Sequence, residues 1–240
     1  MTELPDGSRL LYKVLSGSHA TNLATPTSDE DWRGVYQVPT KMLLGLHKPP
    51  ETIEVPPDTT YWELAHFARL LLKGNPNIME LLWIDIDGPI TAYDIIASDA
   101  GMHTRLIDEI RAIRTSFFTT AMINSYLGWV TKERRILGGY AATGDPNAKH
   151  LTGKRGSHLV RLLMGLGAAL TTGVLPVRLE GAEQAMCMAI KKGEWSAESV
   201  LSAIDAMRAS CDMLAADANW PEPDPAPIED IVLRARMEML

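Results

Sequence analysis

The sequence predicts an α+β fold, in which a small mixed sheet comes first and a mostly helical region follows. Residues 10 to 62 alternate short strand-like runs with Gly and Pro turns. Beyond Tyr61 the pattern changes, because the apolar residues between Leu64 and Leu71 recur at i, i+3, i+4 and i+7, the spacing of one helix face. With 240 residues and 46% hydrophobic content, the chain is large enough to bury a sizeable core.

The helical region divides into several segments. Apolar periodicity predicts helices over 64–73, 78–83, 155–172, 182–192 and 197–217. Residues 102–137 are expected to add one or two more helices, with a core stripe of Leu106, Ile107, Ile110 and Ile113. The stretch 138–153 is predicted to be a loop, because Gly144-Asp145-Pro146-Asn147 lies at its centre. A loop of this length either closes over a substrate or is plain surface.

The C-terminal residues combine a linker with an amphipathic segment. Prolines alternate with other residues from Pro221 to Pro227, which predicts a stiff extended linker. Residues 228–240 carry their apolar side chains on one side. We therefore expect this segment to form a helix that packs on the body of its own chain or, alternatively, on a second subunit, which would give a homodimer.

Residues 16–35 are the most informative part of the chain about chemistry. A Gly17-Ser18 turn follows the apolar run 10–15, and Asp29 and Asp31 come about a dozen residues later. If 29–35 is a strand, its period of two places both aspartates on one face, where they converge on a shared cation. Two such carboxylates suit Mg²⁺, which fills its remaining positions with phosphates and water. Gly17 permits close approach of the backbone to a phosphate, to which Ser18 can donate its N–H and hydroxyl groups.

The same residues are also compatible with an exposed turn that caps the next element. Their order and spacing resemble the DNA polymerase β-like nucleotidyltransferase superfamily, whose signature is Gly-Ser, a short helix and then Asp-x-Asp on the following strand. More narrowly, the chain resembles the RlaP-type predicted nucleotidyltransferases of bacteria and their phages in Gly17-Ser18-His19-Ala20, Thr25-Pro26, Ser28-Asp29 and Asp31 with Arg33-Gly34-Val35-Tyr36. Residues 67–83 and 154–178 extend this resemblance, which runs from about residue 11 to 200 and is absent beyond 220.

The resemblance implies a polymerase β-like division of the chain. Residues 1–90 are expected to form the catalytic core, and residues 91–220 a helical region that completes the cleft for nucleotide and acceptor. Residues 221–240 add the Pro-rich linker and the C-terminal helix.

Members of the superfamily need a third carboxylate on a strand beside the Asp-x-Asp strand. Asp58 is our first choice, because it leads through Thr59-Thr60-Tyr61 into the predicted helix 64–73. Glu54, in the strand-like run 52–55, is the competing candidate, although it is equally compatible with an outward-facing position on a hairpin.

The activity implied by the resemblance is in-line attack of an acceptor hydroxyl on the α-phosphorus of a nucleoside triphosphate such as ATP, with release of pyrophosphate. Two Mg²⁺ or Mn²⁺ ions are expected, held by the catalytic residues Asp29, Asp31 and Asp58. Gly17 and Ser18 are expected to bind the β- and γ-phosphates.

Three residues near this turn have two interpretations each. His19 and Thr21 either assist phosphate binding or cap the short helix. Arg33 shares the face of Asp31 if the strand is regular, and it either contacts phosphate or pairs with a carboxylate.

A second candidate phosphate site lies far along the chain. Lys154, His158 and Arg161 are spaced i, i+4 and i+7, so on one helix they form a single polar stripe. Such a stripe is an electrostatic partner for a triphosphate tail, and the resemblance favours this interpretation over a solvated basic face.

The acceptor is not specified by the sequence. RNA, tRNA ends, a protein or a small molecule all fit, and the family context favours RNA or tRNA repair or modification. A non-catalytic nucleotide-binding protein on a decayed transferase fold stays open, because the third carboxylate is not fixed. Nucleotide-sugar glycosyltransferases also use Asp-x-Asp, but they place it after a nucleotide-binding region of many tens of residues, and only 28 residues precede Asp29.

Composition and cysteine usage set further bounds. The net charge of −7 argues against broad non-specific nucleic-acid binding, although a local groove can be furnished by Lys132, Arg134, Arg135, Lys149, Lys154 and Arg155. Cys187 and Cys211 lie far apart in predicted helices and are expected to be buried reduced thiols. The first residues lack a charged start followed by an apolar stretch, and no apolar run approaches the ~20 residues of a membrane helix, so we expect no signal peptide and a cytoplasmic protein without a membrane partner.

Overall fold

The computed structural model describes residues 4–46, 48–85, 95–98, 101–143 and 146–240, and it confirms the predicted α+β fold. The chain forms two compact units. The first comprises Met1–Lys73, Asn77–Phe117 and Pro223–Leu240, and the second comprises Gly74–Pro76 and Phe118–Glu222. The predicted boundary at residues 90 and 91 lies outside the described residues.

The first unit is built on a mixed sheet. Its six strands are β1 (Arg9–Leu15), β2 (Trp32–Gln37), β3 (Thr52–Val55), β4 (Thr59–Glu63), β5 (Ile95–Ser98) and β6 (Gly101–Thr104). The strand order is β3-β4-β2-β1-β6-β5. Strands β2 and β4 are parallel, and the other neighbouring pairs are antiparallel. The parallel pair matters for the site, because both of its strands begin at the same edge of the sheet.

The helices of the described chain include three long ones and several shorter elements. In chain order they are α1 (Gly17–Ala20), α2 (Thr40–Leu44), α3 (Leu64–Leu72), α4 (Pro76–Leu81), α5 (Arg105–Ala112), a 3-10 turn (Arg114–Phe117), α6 (Thr120–Thr143), α7 (Pro146–Thr172), α8 (Gly181–Lys191), α9 (Ala197–Ala216) and α10 (Ala226–Met237). Among the described residues, no helix has the length and apolar character needed to cross a membrane.

Helix α3 supplies the core beneath the sheet, as its periodicity predicts. Leu64, Phe67, Ala68 and Leu71 are all buried, and the helix packs against β2 and β4. Helix α5 packs against β1 and β6, and its Ile107 and Ile110 are fully buried. The sheet thereby receives helices over both its central strands and its β6 side.

Two predictions about residues 102–153 are wrong. Residues 102–104 lie in strand β6 rather than in a helix, because they pair with β1 at the sheet. Residues 138–143 continue α6, and residues 146–153 belong to α7, where a loop was expected. Gly144 and Asp145, at the centre of that expected loop, lie outside the described residues.

Proline and glycine are compatible with helix here for identifiable reasons. Pro146 is the first residue of α7, a position where the missing N–H group costs nothing. A Cβ atom on Gly153 would lie 2.8 Å from the carbonyl oxygens of Ile190 and Lys191, so this glycine allows α7 and α8 to approach closely. A glycine that looks like a loop signal in the sequence is therefore a packing residue.

The second unit is organised around α7, which packs against α6, α8 and α9. The buried side of α7 includes Leu159, Val160, Leu162, Leu163 and Leu166. The helix ends before Gly173, whose positive φ of 71° and N–H bond to the Ala169 carbonyl are typical of a glycine that follows a helix C-terminus. Cys187 and Cys211 are buried free thiols, as expected.

Helix α10 packs on the rest of the first unit, as in one of the two alternatives for the C-terminal segment, and a homodimer through this helix stays a prediction. It packs against α3 and α5. Arg236 donates a charge-assisted hydrogen bond to Glu63, and the two side chains are only 10% and 6% exposed. The second carboxylate oxygen of Glu63 accepts from the Ala65 N–H at 2.8 Å and so caps α3. Gln37 adds a bond to the Ala235 carbonyl at 2.6 Å.

Breaking the buried pair should destabilise the first unit strongly. Arg236→Met leaves Glu63 charged, buried and without its cation, and we expect a loss of roughly 3 to 5 kcal/mol in the free energy of unfolding. Urea denaturation measures this loss. Arg9→Met is the matched control, because it removes a 3.8 Å pair with Glu238 whose side chains are half or more exposed, and a surface pair contributes roughly 0 to 1 kcal/mol. Equal losses in the two variants would contradict this account of α10.

Candidate functional site

The Gly17-Ser18 turn begins directly after the first strand. β1 ends at Leu15, Ser16 follows, and α1 starts at Gly17. Ser16 is buried and donates two hydrogen bonds to the carbonyl oxygen of Asp31, from its N–H at 2.8 Å and from its hydroxyl at 2.7 Å. These bonds hold the turn beside the residue that precedes β2.

Thr21 stabilises the turn from its other end. Its buried hydroxyl donates to the carbonyl oxygens of Gly17 at 3.1 Å and Ser18 at 3.3 Å, and its N–H donates to Gly17 at 3.2 Å. The capping interpretation of Thr21 is therefore the one that the structure supports. His19 is half-buried, and its Nε2 atom is buried with no hydrogen-bond partner in the described part of the chain.

Gly17 and the Asp31 carboxylate are in close contact. Gly17 has a φ of +60°, a conformation that favours glycine. A Cβ atom at this position would lie 2.2 Å from Oδ2 and 2.9 Å from Cγ of Asp31. No side chain other than hydrogen fits here without moving the carboxylate. The contact brings the predicted phosphate turn and a predicted metal ligand to the same point.

Strand β2 begins at Trp32, so the expectation of a strand over 29–35 is wrong at its start. Asp31 directly precedes the strand, while Asp29 lies two residues earlier in a segment without regular structure. The first ladder partner of β2 is Thr59 of β4, which pairs with Trp32. Pairing of β2 with β4 therefore starts at Trp32. At the preceding residue, Asp31, the backbone carbonyl accepts its hydrogen bonds from Ser16 instead of from a neighbouring strand. Asp29 is exposed, whereas the Asp31 side chain is 34% exposed.

The parallel pairing of β2 and β4 places Asp58 next to Asp31. Trp32 pairs with Thr59, so the residues before them, Asp31 and Asp58, enter the sheet side by side. The Asp58 carbonyl oxygen accepts a hydrogen bond from the Trp32 N–H at 2.9 Å, and Asp58 is exposed. The edge of the sheet therefore brings together the segments that carry both carboxylates.

Glu54 occupies a different part of the sheet. It pairs with Thr60 of β4, and Thr60 pairs with Arg33 of β2, so the three residues lie in one row on one face. Two strand spacings of about 4.8 Å each separate Glu54 from Arg33. Glu54 is exposed on β3, the edge strand of the sheet.

Arg33 connects Asp31 with the Asp58 segment. Its Nη2 atom is 3.2 Å from Oδ1 of Asp31, and its Nη1 atom donates to the Asp58 carbonyl at 3.0 Å. This ion pair is one of the two roles that the sequence allows for Arg33. The phosphate role stays a prediction, since a guanidinium can change partners.

The predicted Lys154, His158 and Arg161 stripe lies on α7 in the second unit. Lys154 is exposed, and Arg161 is only 6% exposed, with its Nη2 atom 3.3 Å from Nδ1 of His158. Burial and the neighbouring Arg161 lower the pKa of His158 to about 3. His158 is therefore neutral near pH 7, and the positive charge of the stripe comes from Lys154 and Arg161. Binding of a triphosphate by these residues stays a prediction.

A sequence profile described as the RNA repair pathway DNA polymerase beta family, RlaP, matches residues 3–192. The chain belongs to the RlaP family. This membership confirms the resemblance drawn from Gly17-Ser18 and Asp29-x-Asp31, and the family is described as a DNA polymerase beta family of an RNA repair pathway. Helices α9 and α10 lie beyond the part of the chain that the RlaP profile matches.

Two other comparisons accompany the RlaP match. The chain is 28% identical over 116 residues to a curated relative, the uncharacterized protein YcgL of Bacillus subtilis (strain 168). The aligned part is 47% of this chain and 40% of YcgL, so the chain spans less than half the length of that relative. No solved structure matches the chain significantly.

The donor set suits the divalent cation that a polymerase β-like family implies. Asp31 and Asp58 precede the paired starts of β2 and β4 and carry hard carboxylate oxygens, Asp29 lies two residues before Asp31, and the Asp31 carboxylate fills the space that a Gly17 side chain would occupy. The described residues contain no group of three or more His, Cys, Asp or Glu side chains placed to hold a metal ion, so the structure does not gather Asp29, Asp31 and Asp58 into one three-carboxylate site. Mg²⁺ is commonly held by one or two carboxylates together with substrate phosphates, which is the arrangement these residues fit.

Sequence reasoning missed Ser16. Its two bonds reach Asp31 across 15 positions of the chain, a separation that no local pattern records. The available signal was a hydroxyl residue next to a glycine turn, which is common in loops. The cation–π contact of Lys13 with Trp32, at 4.6 Å, was also missed, because it depends on the register of β1 against β2.

The Gly17 contact leads to a stability prediction. Gly17→Ala should lose about 1 to 2 kcal/mol through its positive φ and about 1 to 3 kcal/mol more by displacing the Asp31 carboxylate. Gly181→Ala is the matched control, because Gly181 has a similar φ of +56° and a Cβ atom there would have no described neighbour within 4 Å. Urea unfolding of both variants separates the two contributions. Equal losses would show that Asp31 moves aside freely.

Proposed function

We propose that this chain transfers a nucleoside monophosphate from a nucleoside triphosphate to a hydroxyl group of RNA, with the help of divalent cations. The observation that carries this proposal is the contact of the Asp31 carboxylate with the Gly17 backbone, because it unites a phosphate-binding turn with an acidic ligand. Family membership supports the reaction type, and the RNA repair description of the family supports RNA as the acceptor.

In the proposed reaction each residue has a separate task. The backbone at Gly17 and the N–H and hydroxyl groups of Ser18 bind the β- and γ-phosphates. Asp29, Asp31 and Asp58 would hold Mg²⁺ or Mn²⁺ together with the phosphates of the substrate. When bound, two such ions supply positive charge to both the attacking and the leaving oxygen.

The bond changes are those of an in-line displacement. The acceptor oxygen forms a bond to the α-phosphorus, the bond from that phosphorus to the bridging oxygen of the β-phosphate breaks, and pyrophosphate leaves. Asp58 takes the proton of the hydroxyl, since a base within reach of the nucleophile promotes such attack. Ser16 and Thr21 contribute by holding the turn, through the bonds described above.

The proposal is tested with the purified protein, Mg²⁺ or Mn²⁺, total cellular RNA and each of the four α-labelled nucleoside triphosphates. We expect label in RNA for the wild type and none for Asp31→Ala, whose far-UV circular dichroism should match the wild type. Label transferred equally by Asp31→Ala would overturn the assignment of this carboxylate. Label on the protein itself would redirect the acceptor to a polypeptide.

The third carboxylate is tested by a matched pair of variants. Asp58→Asn should lower the transfer rate by roughly a hundredfold or more, because it removes a base and a ligand next to Asp31. Glu54→Gln removes the same charge two strands away from Arg33 and should leave the rate close to that of the wild type. The reverse pattern would assign the role to Glu54.

A further inference from the structure

Arg33 lies between two of the chain segments that build the site. Its guanidinium contacts three acceptors: Oδ1 of Asp31 at 3.2 Å and the carbonyl oxygens of Trp32 and Asp58, both at 3.0 Å. All three acceptors belong to residues at the edge where β2 and β4 begin. The guanidinium is thus fixed in front of the carboxylate that we propose as a metal ligand.

The two oxygen atoms of the Asp31 carboxylate have different surroundings. Oδ2 lies against the Gly17 backbone, whereas Oδ1 is paired with Arg33. The side chains of Arg33 and Asp31 are 28% and 34% exposed, so water and ions reach both. A cation that approaches Oδ1 meets the like charge of the guanidinium at short range, where the repulsion is substantial even in water.

We propose that Arg33 neutralises Asp31 in the unliganded protein and gives it up to a divalent cation when a triphosphate binds. The released guanidinium then pairs with phosphate oxygens, which its planar fork matches well. Metal alone binds weakly because it must displace Arg33 without providing that arginine with a new anionic partner. Metal and nucleotide consequently favour the binding of each other.

This inference rests on the proposed function, since it uses the same carboxylate, and it makes Arg33 a residue that first pairs with Asp31 and then contacts the triphosphate. The proposed role of Arg33 and a merely structural role predict opposite changes in metal affinity when Arg33 is removed. If Arg33 only braced β2 against β4, its removal would loosen Asp31 and weaken metal binding. If Arg33 competes with the cation, its removal strengthens metal binding.

The test is a titration of nucleotide-free protein with Mn²⁺, followed by the electron paramagnetic resonance signal of the free ion. Arg33→Gln should bind Mn²⁺ about tenfold more tightly than the wild type, as expected for removal of one like charge at this range. Arg9→Gln is the control, because it removes an equal charge from an exposed position on β1 and should leave the affinity unchanged. Arg33→Gln/Asp31→Asn should lose the gain.

A second measurement covers the nucleotide. In the absence of metal, a non-hydrolysable triphosphate should bind Arg33→Gln several-fold more weakly than the wild type. Circular dichroism and urea unfolding show whether the variant is folded. If Arg33→Gln does not fold, Arg33→Lys takes its place. Lysine keeps the charge but contacts Asp31 through a single point, so we expect a gain of only about threefold in Mn²⁺ affinity.

Unchanged or weaker Mn²⁺ binding in the folded Arg33 variant would overturn the inference. Combined with label transfer to RNA by the wild type, that result leaves the proposed function intact. Tighter binding in the variant without transfer by the wild type supports the role of Arg33 and rejects the proposed reaction. A wild type that neither binds Mn²⁺ with or without triphosphate nor transfers label rejects both.

Discussion

The two hydrogen bonds from Ser16 to the Asp31 carbonyl are the constraint on which the candidate site depends. They join the end of β1 to the start of β2, and their acceptor is the backbone carbonyl oxygen of Asp31, not its side chain. The Asp31 side chain is therefore free to turn toward Gly17 on one side and Arg33 on the other. Pairing of Trp32 with Thr59 then brings the Asp58 segment to the same edge. Site geometry here follows from strand order, because β4 neighbours β2 only in a sheet of this topology.

Local patterns in the sequence predicted much of the fold, while the residues assigned to the candidate site stay predictions. The turn at Gly17, helix α3, the C-terminal end of α7 and both ends of α8 and α9 follow from periodicity, glycine and capping signals that act over a few residues. The start of β2 was misjudged because alternation of Asp29 and Asp31 with other residues looks like a strand. Long-range bonding decides that boundary instead, as the Ser16 and Thr59 contacts show.

Burial also changed the meaning of residues that the sequence made conspicuous. Lys154, His158 and Arg161 form one stripe by spacing, yet the interior of the second unit holds Arg161 and keeps His158 neutral. Gly153 looks like part of a loop, although it is a point of close approach between α7 and α8. Spacing predicts which residues share a helix face, but the neighbours across that face determine their charge state and exposure. Those neighbours come from other elements, such as Cys187 on α8. Burial raises the pKa of the Cys187 thiol, and the charge of Arg161 offsets part of that rise.

The docking of α10 has a consequence for how the chain folds as it is synthesised. Residues 223–240 belong to the first unit, and Arg236 reaches Glu63 across 173 positions. A ribosome that has just released residue 222 has made the whole second unit, whose residues are nearly contiguous, while Glu63 still lacks its cation. Because domains tend to fold as units during synthesis, the second unit can fold first, and the unit that begins the chain is completed last. Until then the nascent chain exposes the faces of α3 and α5 that α10 will cover.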